Sequence, residues 1–538
     1  MRYEVPNVPT GENTTFVKKL LNLIDQLFTK TRKLSEEIKQ LKDEVNVLKK
    51  EKKRPEFKAS KMDDLAGKKD TKKEDSSKGK RPGSNKKNKT VGLKIHEKKI
   101  IKPDGKIPHD SEFKGYQDYT VQGLRIESHN VLYRLECWKT PGGDYLRGRL
   151  PDSLEGTHFS PKLRSFIIYQ HHHCQVTQPL LWEQLSEWGV QISKGQINRI
   201  LNEGKEDFHD EKEDILPMGL QVSEYVTVDD SGMRNKGKNG YVTHIGNDYF
   251  AWFKSSDHKT RINFLELLNT ENNNYTLNNN AVSLMLKQKM PLKIIKLFEN
   301  HSSKLFKSKR EWHDHLNKLR IFNKRHYRIA TEAALYASVL QHEFMRNIVI
   351  LSDGAGQFNV LLHALCWVHT ERLIHKLVPL NDPHRKIIEQ IRGQIWDLYA
   401  ELKKYKLEPS IESKNKIQDQ FDSIFTQKTP FETLNNLLTR IHKNKDELLL
   451  VLLRPEIPLH TNGSEGDIRE YVKKMKISGG TRSDLGRQCR DTFASLKKTC
   501  RKLDISFWCY LIDRLSCANK IKPLHFYIQQ RAAPSIAY

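Results

Sequence analysis

The clearest pattern in the chain is a heptad repeat near its N-terminus. Leucine recurs every seven residues, and β-branched residues occupy the position three residues before each leucine. The leucines are Leu20, Leu27, Leu34, Leu41 and Leu48, and the preceding positions are Val17, Ile24, Thr31, Ile38 and Val45. Leucine at d with β-branched residues at a favours a parallel two-stranded coiled coil, which we predict over residues 1–50. A single amphipathic helix packed on its own chain is the alternative.

The next two segments carry weaker patterns. Residues 51–107 are rich in Lys, Gly, Ser and Asp and poor in large apolar side chains, which predicts a flexible basic linker. Such a linker adds non-specific phosphate contacts, or serves only to keep the chain in solution. Residues 108–160 contain short β-runs and turn signals, which predict a small β-rich region.

Residues 161–218 turn to helical periodicity. One amphipathic helix is predicted over residues 179–188, where Gly189 ends it. Ser193 can then cap a second helix over residues 194–202. This outline is that of a helix-turn-helix, although many helical hairpins share it. If this pair of helices binds DNA, the residues that the second helix presents to the DNA are Lys194, Gln196, Asn198 and Arg199.

From residue 219 to about 500, strands alternate with helices. The first three β-runs predict an antiparallel meander, the fourth predicts a second buried strand, and a last apolar run leads into a helix from His369. The runs cover residues 225–228, 240–245, 249–253, 348–351 and 364–368. Helical insertions are expected at about 271–345 and 375–455, and a helical tail is expected over residues 501–538.

Three carboxylates stand out in this α/β region. Asp229 and Asp353 each follow a hydrophobic run, and Glu465 falls in the first turn of a later helix. A buried carboxylate is costly to ionise unless it meets a cation, and two oxygen-bound Mg²⁺ ions can activate an attacking oxygen and stabilise a leaving one. An Asp, Asp, Glu set with a meander after the first Asp predicts a ribonuclease-H-like core holding two Mg²⁺ (or Mn²⁺) ions. Asp230 is the alternative to Asp229 as the first metal ligand. The alternative interpretation of all three acids is that they are ordinary turn and helix-cap residues.

Two other groups of polar residues are poorer candidates for a metal site. Adjacent histidines on a helix, such as His171 and His172, point in different directions and cannot converge on one ion, so a structural role is expected. Cys366 and His369 are only two ligands and do not make a zinc site, which leaves a structural or positioning role near the metals. Arg469, four residues after the glutamate, either pairs with it or meets a phosphate.

The net positive charge of the chain indicates which classes of partner it binds. The formal net charge is +26 over 538 residues, which points first to nucleic acid and second to an acidic membrane surface. We find no apolar run of membrane-spanning length and no signal-peptide pattern, so a cytoplasmic location is expected. The seven scattered cysteines lack paired spacing and indicate reduced thiols.

Several motifs together resemble a known family. They are Lys114–Tyr119, Asp229-Asp230-Ser231, Asp353-Gly354-Ala355-Gly356, Cys366-Trp367-Val368-His369, Asn462–Glu465 with Arg469, and Gly479-Gly480-Thr481-Arg482. The chain resembles, over nearly its whole length, the insertion-sequence-66 family of bacterial transposases that use an Asp, Asp, Glu catalytic set. It departs from that pattern in having no cysteine before Cys137 and Gly466 after the glutamate, and in its long 271–345 stretch.

The resemblance implies a DNA transposase that works on chromosomal DNA. It implies catalytic and metal-binding roles for Asp229, Asp353 and Glu465, and DNA contacts from Arg469 and Arg482. The partners implied are double-stranded DNA, as terminal inverted repeats and as target, and further copies of the chain through the coil. Two alternatives remain: a transposase-derived dimeric DNA-binding protein without catalysis, and a nuclease that cuts without joining.

Overall fold

The computed structural model describes residues 94–103, 105, 109, 111–269, 274–299, 304–379 and 381–533. The predicted coiled coil and nearly all of the predicted linker lie outside these residues. Within them, no helix is both long enough and apolar enough to cross a membrane.

The segment before residue 160 contains little regular structure among its described residues. Strands β1 (Cys137–Lys139) and β2 (Tyr145–Arg147) form one antiparallel hairpin that pairs Trp138 with Leu146. Every residue of both strands is exposed, and one short 3₁₀ turn, Asp152–Leu154, follows them before residue 160. The β-rich region expected over residues 108–160 is therefore a single short hairpin in this part of the structure, because its apolar side chains have no second layer to pack on.

Four helices follow, and side-chain caps define two of their starts. They are α1 (Pro161–His172), α2 (Gln178–Glu187), α3 (Lys194–Asn202) and α4 (Glu206–Gln221). The hydroxyl of Ser160 accepts the N–H of Leu163 at 3.3 Å, and that of Ser193 accepts the N–H of Gln196 at 3.1 Å. These bonds satisfy amide groups that have no partner within the helix, which fixes where α1 and α3 begin.

The central sheet opens with the expected meander. It consists of β3 (Tyr225–Asn235), β4 (Lys238–Gly246) and β5 (Ala251–Ser256), paired antiparallel in sequence order. Lys236 and Gly237 form the first turn with φ of +50° and +76°, the left-handed pair that a two-residue hairpin requires. β3 is longer than the predicted run at 225–228, so Asp229 and Asp230 lie inside the strand. Pairing with β4 extends it through these acids.

A helical insertion separates the meander from the rest of the sheet. Its elements are α5 (Arg261–Leu268), β6 (Tyr275–Thr276), α6 (Asn279–Lys287), α7 (Leu292–Glu299), β7 (Leu305–Phe306), α8 (Lys309–Lys318) and α9 (Lys324–Val339). The short strands β6 and β7 pair antiparallel with each other. The 3₁₀ turn Glu343–Arg346 then leads back to the sheet.

Two parallel strands complete the central sheet. β8 (Val349–Ser352) pairs parallel with β3, and β9 (Leu362–Leu365) pairs parallel with β8. The strand order is β5-β4-β3-β8-β9. The sheet is thus mixed, with an antiparallel meander on one side of β3 and two parallel strands on the other.

Helices make up the remainder of the described chain. They are α10 (Trp367–His375), α11 (Asp382–Leu407), α12 (Ile411–Thr426), α13 (Glu432–His442), α14 (Lys445–Leu448), α15 (Asn462–Ser478), α16 (Asp484–Lys502), α17 (Phe507–Leu515) and α18 (Leu524–Ala532). A 3₁₀ turn at Leu450–Leu452 follows α14. One hydrophobic cluster joins α1, the sheet and the C-terminal helices, with Ile167 and Ile528 both fully buried.

Helix α16 covers the open edge of β5 in an unusual way. The N–H of Phe253 donates to the Ser495 hydroxyl at 2.9 Å, and the N–H of Ala251 donates to the Thr499 hydroxyl at 3.2 Å. One turn earlier, Asp491 accepts the N–H of Ser255 at 2.7 Å. These three acceptors recur every four residues on one helix face, so they satisfy amide groups that an edge strand otherwise leaves unpaired.

Candidate active site

The strand register places two of the predicted acids side by side. Thr227 on β3 is paired with Leu351 on β8. Two residues further along each parallel chain are Asp229 and Asp353, which therefore lie level at the carboxyl end of the paired region. Neighbouring strands are separated by about 4.8 Å, so this edge brings the two carboxylates near each other.

The pleat of β3 separates Asp229 from its neighbour. Asp229 is paired with His244 across the β3–β4 ladder, on the sheet face that carries Met233 and packs against Tyr471 of α15. Asp230 points to the opposite face, because successive side chains on a strand alternate. There it accepts a hydrogen bond from Lys259 Nζ at 3.1 Å and another from the Gln357 amide.

The environment of Asp229 disfavours its charge. Burial raises its pKa first, and the negative charges of Asp353, Asp230 and Glu465 raise it further, to about 6. The N–H of Asp230, which donates to Asp229 Oδ1 at 2.8 Å, only partly opposes this shift. Asp353 and Glu465 thus both lie near enough to Asp229 to act on it electrostatically.

Glu465 sits in the first turn of α15 with only 10% of its side chain exposed. Arg372 Nη1 lies 3.2 Å and His369 Nε2 lies 3.4 Å from its Oε1, and Arg469 pairs with its Oε2. The N–H of Trp367 donates to the Leu459 carbonyl at 3.0 Å, which ties the start of α10 to the segment before α15. This link positions the α10 cations beside the glutamate.

Cys366 and His369 form a hydrogen-bonded pair at the start of α10. Burial alone raises the pKa of the Cys366 thiol, but hydrogen bonds and charge from His369 outweigh it and leave that pKa below its ordinary value. Burial lowers the pKa of His369, whereas Cys366 and Glu465 raise it above its ordinary value. The proton of this pair is therefore favoured on His369, whose Nε2 lies 3.4 Å from Glu465 Oε1.

Asp353 is held by the tight turn that follows β8. Its Oδ1 accepts the N–H of Ala355 at 3.0 Å, and Gly354 has a φ of +93°, a left-handed conformation suited to glycine. The preceding Ser352 hydroxyl contacts His363 Nε2 at 2.8 Å. The exposed Asp353 carboxylate is thereby directed from a rigid strand end.

The donor set of Asp229, Asp353 and Glu465 consists of oxygens, which suits Mg²⁺ or Mn²⁺. In the described part of the chain, however, no three His, Cys, Asp or Glu side chains are gathered closely enough to hold one metal ion. Both oxygens of Glu465 contact cationic side chains instead. Metal binding at this edge would therefore require Glu465 to exchange at least one of these contacts.

Comparison with known proteins identifies the family. The sequence model described as Transposase IS66 family matches residues 321–488, which include Asp353 and Glu465. Over 321 residues the chain is 39% identical to the uncharacterized protein y4jO of Sinorhizobium fredii (strain NBRC 101917 / NGR234), an alignment that covers 59% of this chain and 100% of that relative. The chain belongs to the transposase IS66 family.

In this IS66-family chain the predicted DNA-contacting residues of α3 lie on its solvent side. Lys194, Asn198 and Arg199 are exposed, and Gln196 is half-buried. Gln196 Oε1 accepts from Arg199 Nη2 at 2.6 Å, and Lys194 Nζ lies 4.4 Å from the centre of the Trp182 ring. The helix is thus a separate surface, contributed by different elements from those that carry the three acids.

The loop before α16 holds the last predicted DNA-contacting residue. Arg482 is exposed, and its neighbour Thr481 donates its N–H to the Arg234 carbonyl at 3.0 Å. A Cβ atom at Gly480 would lie 2.5 Å from that same carbonyl, so only glycine allows the loop to approach the β3–β4 hairpin. The glycine pair in the sequence therefore marks a docking point beside Arg482.

Several residues that shape this site were not predicted from the sequence. Arg372 lies one helical turn after His369 and so on the same face of α10, a spacing that could have indicated it. Lys259 and Gln357, which bind Asp230, come from a loop and a turn distant in sequence, and no local pattern marks them. Tertiary contacts alone reveal them.

Proposed function

We propose that this IS66-family protein is a DNA transposase that cuts the ends of its element and joins the freed 3′-hydroxyl to target DNA. The observation that carries the proposal is the strand register that places Asp229 level with Asp353, together with a Glu465 near enough to help raise the pKa of Asp229. The strand order β5-β4-β3-β8-β9, with its meander and two added parallel strands, supports a ribonuclease-H-like catalytic core.

In the proposed mechanism Asp229, Asp353 and Glu465 are the ligands of two Mg²⁺ (or Mn²⁺) ions. Divalent ions at such a site would polarise the scissile phosphate and activate the attacking hydroxyl or water. The protein's part is to hold carboxylates at an edge where burial, reinforced by neighbouring negative charges, raises the pKa of Asp229 and so favours a cation there. The turn at Gly354 and the first turn of α15 fix two of the three donors.

DNA binding is proposed at two further surfaces. The exposed side of α3 would act as a recognition helix through Lys194, Gln196, Asn198 and Arg199, since α2 and α3 have the outline of a helix-turn-helix. Arg482 would add a phosphate contact from the loop that docks beside the β3–β4 hairpin. The predicted coil of residues 17–48 would bring two copies together, so that two element ends could be paired.

A second candidate function is a transposase-derived DNA-binding protein that no longer cuts. One observation favours it: both carboxylate oxygens of Glu465 already contact cationic side chains. The family assignment and the presence of all three acids favour the catalytic function. The two candidates differ in a single measurable activity.

The test is a cleavage and strand-transfer assay with the full chain. A labelled duplex carrying the terminal repeat is incubated with Mg²⁺ or with a chelator, and nicked and joined products are resolved. We expect Mg²⁺-dependent products from the wild type and none from Glu465→Gln. The matched control is Glu412→Gln, which changes an exposed glutamate in the first turn of α12. A wild type that binds the duplex and never cuts it would favour the second candidate; cutting without joined products would indicate a nuclease.

A further inference from the structure

A positively charged groove adjoins the candidate catalytic glutamate. It lies between α15, the C-terminal end of α16 and the turn after α1, with a volume of about 480 Å³. Arg469 and Lys473 line it from α15, Arg501 lines it from α16, and Gln175 lines it from the turn. We call this feature the α15 groove.

The groove follows one face of α15 away from the site. Glu465, Arg469 and Lys473 are spaced four residues apart and so form one ridge along the helix. Each step along such a ridge advances about 6 Å, so the two cations lie about 6 and 12 Å beyond the glutamate along the helix axis. That length corresponds to roughly two to four nucleotides of one duplex strand at about 3.4 Å per nucleotide.

The groove is positively charged because buried lysine side chains neutralise Glu470, the acidic residue in its lining. Glu470 lines the groove, but its carboxylate pairs with Lys498 and, at 2.5 Å, with Lys497 Nζ. Both lysine side chains are buried, with 8% and 7% exposure. Arg501 lies 3.3 Å from the same carboxylate and keeps more than half of its side chain exposed.

Two further residues of the lining, Lys473 and Gln175, leave polar groups available in the groove. Lys473 is exposed and forms no ion pair with any residue that the structure describes. Gln175 has a φ of +66°, a conformation that residues other than glycine seldom adopt and that costs of order 1 kcal/mol. This conformation ends α1, where the N–H of Val176 donates to the Gln170 carbonyl at 2.9 Å. The Gln175 side chain thus adds an amide donor to the groove beside its cationic residues.

We infer that the α15 groove binds the phosphate backbone of the DNA strand that enters the active site, with Lys473 and Arg501 as its phosphate contacts. This inference rests on the proposed function, because it takes the Glu465 end of the groove as the reacting end. Its chemistry is that of cations from two helices and an amide donor from a neighbouring turn, which fits a run of phosphates and carries no base recognition.

The test measures salt-dependent binding of the full chain to a short labelled duplex with the element end. Affinity is measured between about 50 and 200 mM salt for the wild type and for Lys473→Gln with Arg501→Gln. We expect the slope of log affinity against log salt to fall by about two, one for each cation that no longer binds a phosphate. The matched control combines Lys296→Gln, an exposed helical lysine, with Arg385→Gln, an exposed arginine that pairs with Asp382.

A single variant guards against loss of folding, because Arg501 also contacts Glu470. Lys473→Glu changes only an exposed side chain, and we expect it to weaken binding at least as much as the neutral substitution does. A slope for the groove variants equal to that of the control pair would overturn the inference. So would a change in self-association with unaltered DNA affinity, which would assign the groove to contacts between copies of the chain.

The outcome separates the groove from the proposed function. If the wild type fails to cut DNA while the groove variants still show a reduced salt slope, the groove is a DNA surface and the catalytic proposal fails. If the wild type cuts and the groove variants bind with the wild-type slope, catalysis stands and the groove inference fails. Binding is measured without Mg²⁺, so the salt slope does not depend on the chemical step.

Discussion

Arg372 Nη1 lies 3.2 Å from Oε1 of Glu465. The two residues come from helices α10 and α15, which are far apart along the chain, and the contact is only partly exposed to solvent. In the proposed mechanism the same oxygen would bind a metal ion. The arginine and the metal therefore compete for one ligand, and this competition can be measured.

The first prediction is that Arg372→Gln tightens Mg²⁺ binding. Removing a positive charge beside a cation site lowers the electrostatic cost of placing Mg²⁺ there, and the glutamate keeps its contact with Arg469. We expect the Mg²⁺ concentration needed for half-maximal thermal stabilisation to fall several-fold. Arg385→Gln, on the exposed face of α11, is the control and should leave it unchanged. Weaker Mg²⁺ binding by Arg372→Gln would instead mean that the arginine orients the glutamate for the metal.

The second prediction separates binding from chemistry. Asp353→Asn should abolish cutting and leave binding of element-end DNA intact, because the amide keeps the size of the carboxylate and loses the charge that holds Mg²⁺. Binding of wild type and variant should weaken with added salt along nearly the same slope. A variant that cuts at the wild-type rate would make Asp353 an ordinary turn residue. Loss of both binding and cutting would assign it a role in the fold.

The third prediction concerns the covered edge of the sheet. Ser495→Ala should destabilise the protein by about 1–3 kcal/mol, because the buried N–H of Phe253 loses its acceptor. The control is Ser186→Ala, since this exposed hydroxyl bonds only the Trp182 carbonyl of its own helix. Denaturant unfolding of both variants measures the difference. Equal stabilities would show that the β5 edge finds another acceptor when the serine is removed.

The fourth prediction is a pH dependence of stability that depends on Lys474. Burial, reinforced by the charges of Arg490 and Lys497, lowers the pKa of this lysine from 10.5 to about 7. Between those two pH values the unfolded chain binds the proton and the folded chain does not, so this lysine makes stability rise with pH. At neutral pH we expect Lys474→Met to be more stable than the wild type by roughly 1–3 kcal/mol.

That advantage should shrink as the pH is raised from 7 toward 10.5, where the unfolded lysine also becomes neutral. Unfolding free energies measured across this window give the difference directly. The control is Lys476→Met on the exposed side of the same helix, which should show no such trend. A constant difference between Lys474→Met and the wild type would mean that Lys474 keeps the same pKa in both states.

The fifth prediction concerns assembly through the N-terminal heptads, which lie outside the described residues. Charged residues in place of Leu27 and Leu34 should convert the dimer to monomers in light scattering, since d positions form the hydrophobic seam of a coiled coil. Substituting Lys33 and Lys39 by Gln, at the c and b positions away from the seam, is the control. An oligomer of unchanged mass after both leucine substitutions would place the interface elsewhere.

Local patterns were sufficient for much of the secondary structure. Helix α3 begins and ends at the residues expected from its Ser193 cap and its apolar spacing, Lys194–Asn202. The sequence also predicts the meander of β3, β4 and β5. Strand β3, however, continues past both aspartates, because pairing with β4 extends it. Alternation within a strand shows that Asp229 and Asp230 face opposite sides, yet cannot tell which side holds the glutamate. The packing of α15 on the Met233 face decides that point.

The sequence by itself determined the heptad pattern, the excess of positive charge, the motifs of the family and the positions of the three acids that we propose as metal ligands. These are properties of composition and short-range spacing, which no folding can alter. The tertiary structure decided that Asp229 rather than Asp230 faces α15, that Arg372 meets Glu465, and that Ser495 closes the edge of β5. Each joins residues far apart in the chain, and such contacts follow from the packing of whole elements against one another, which no local pattern encodes.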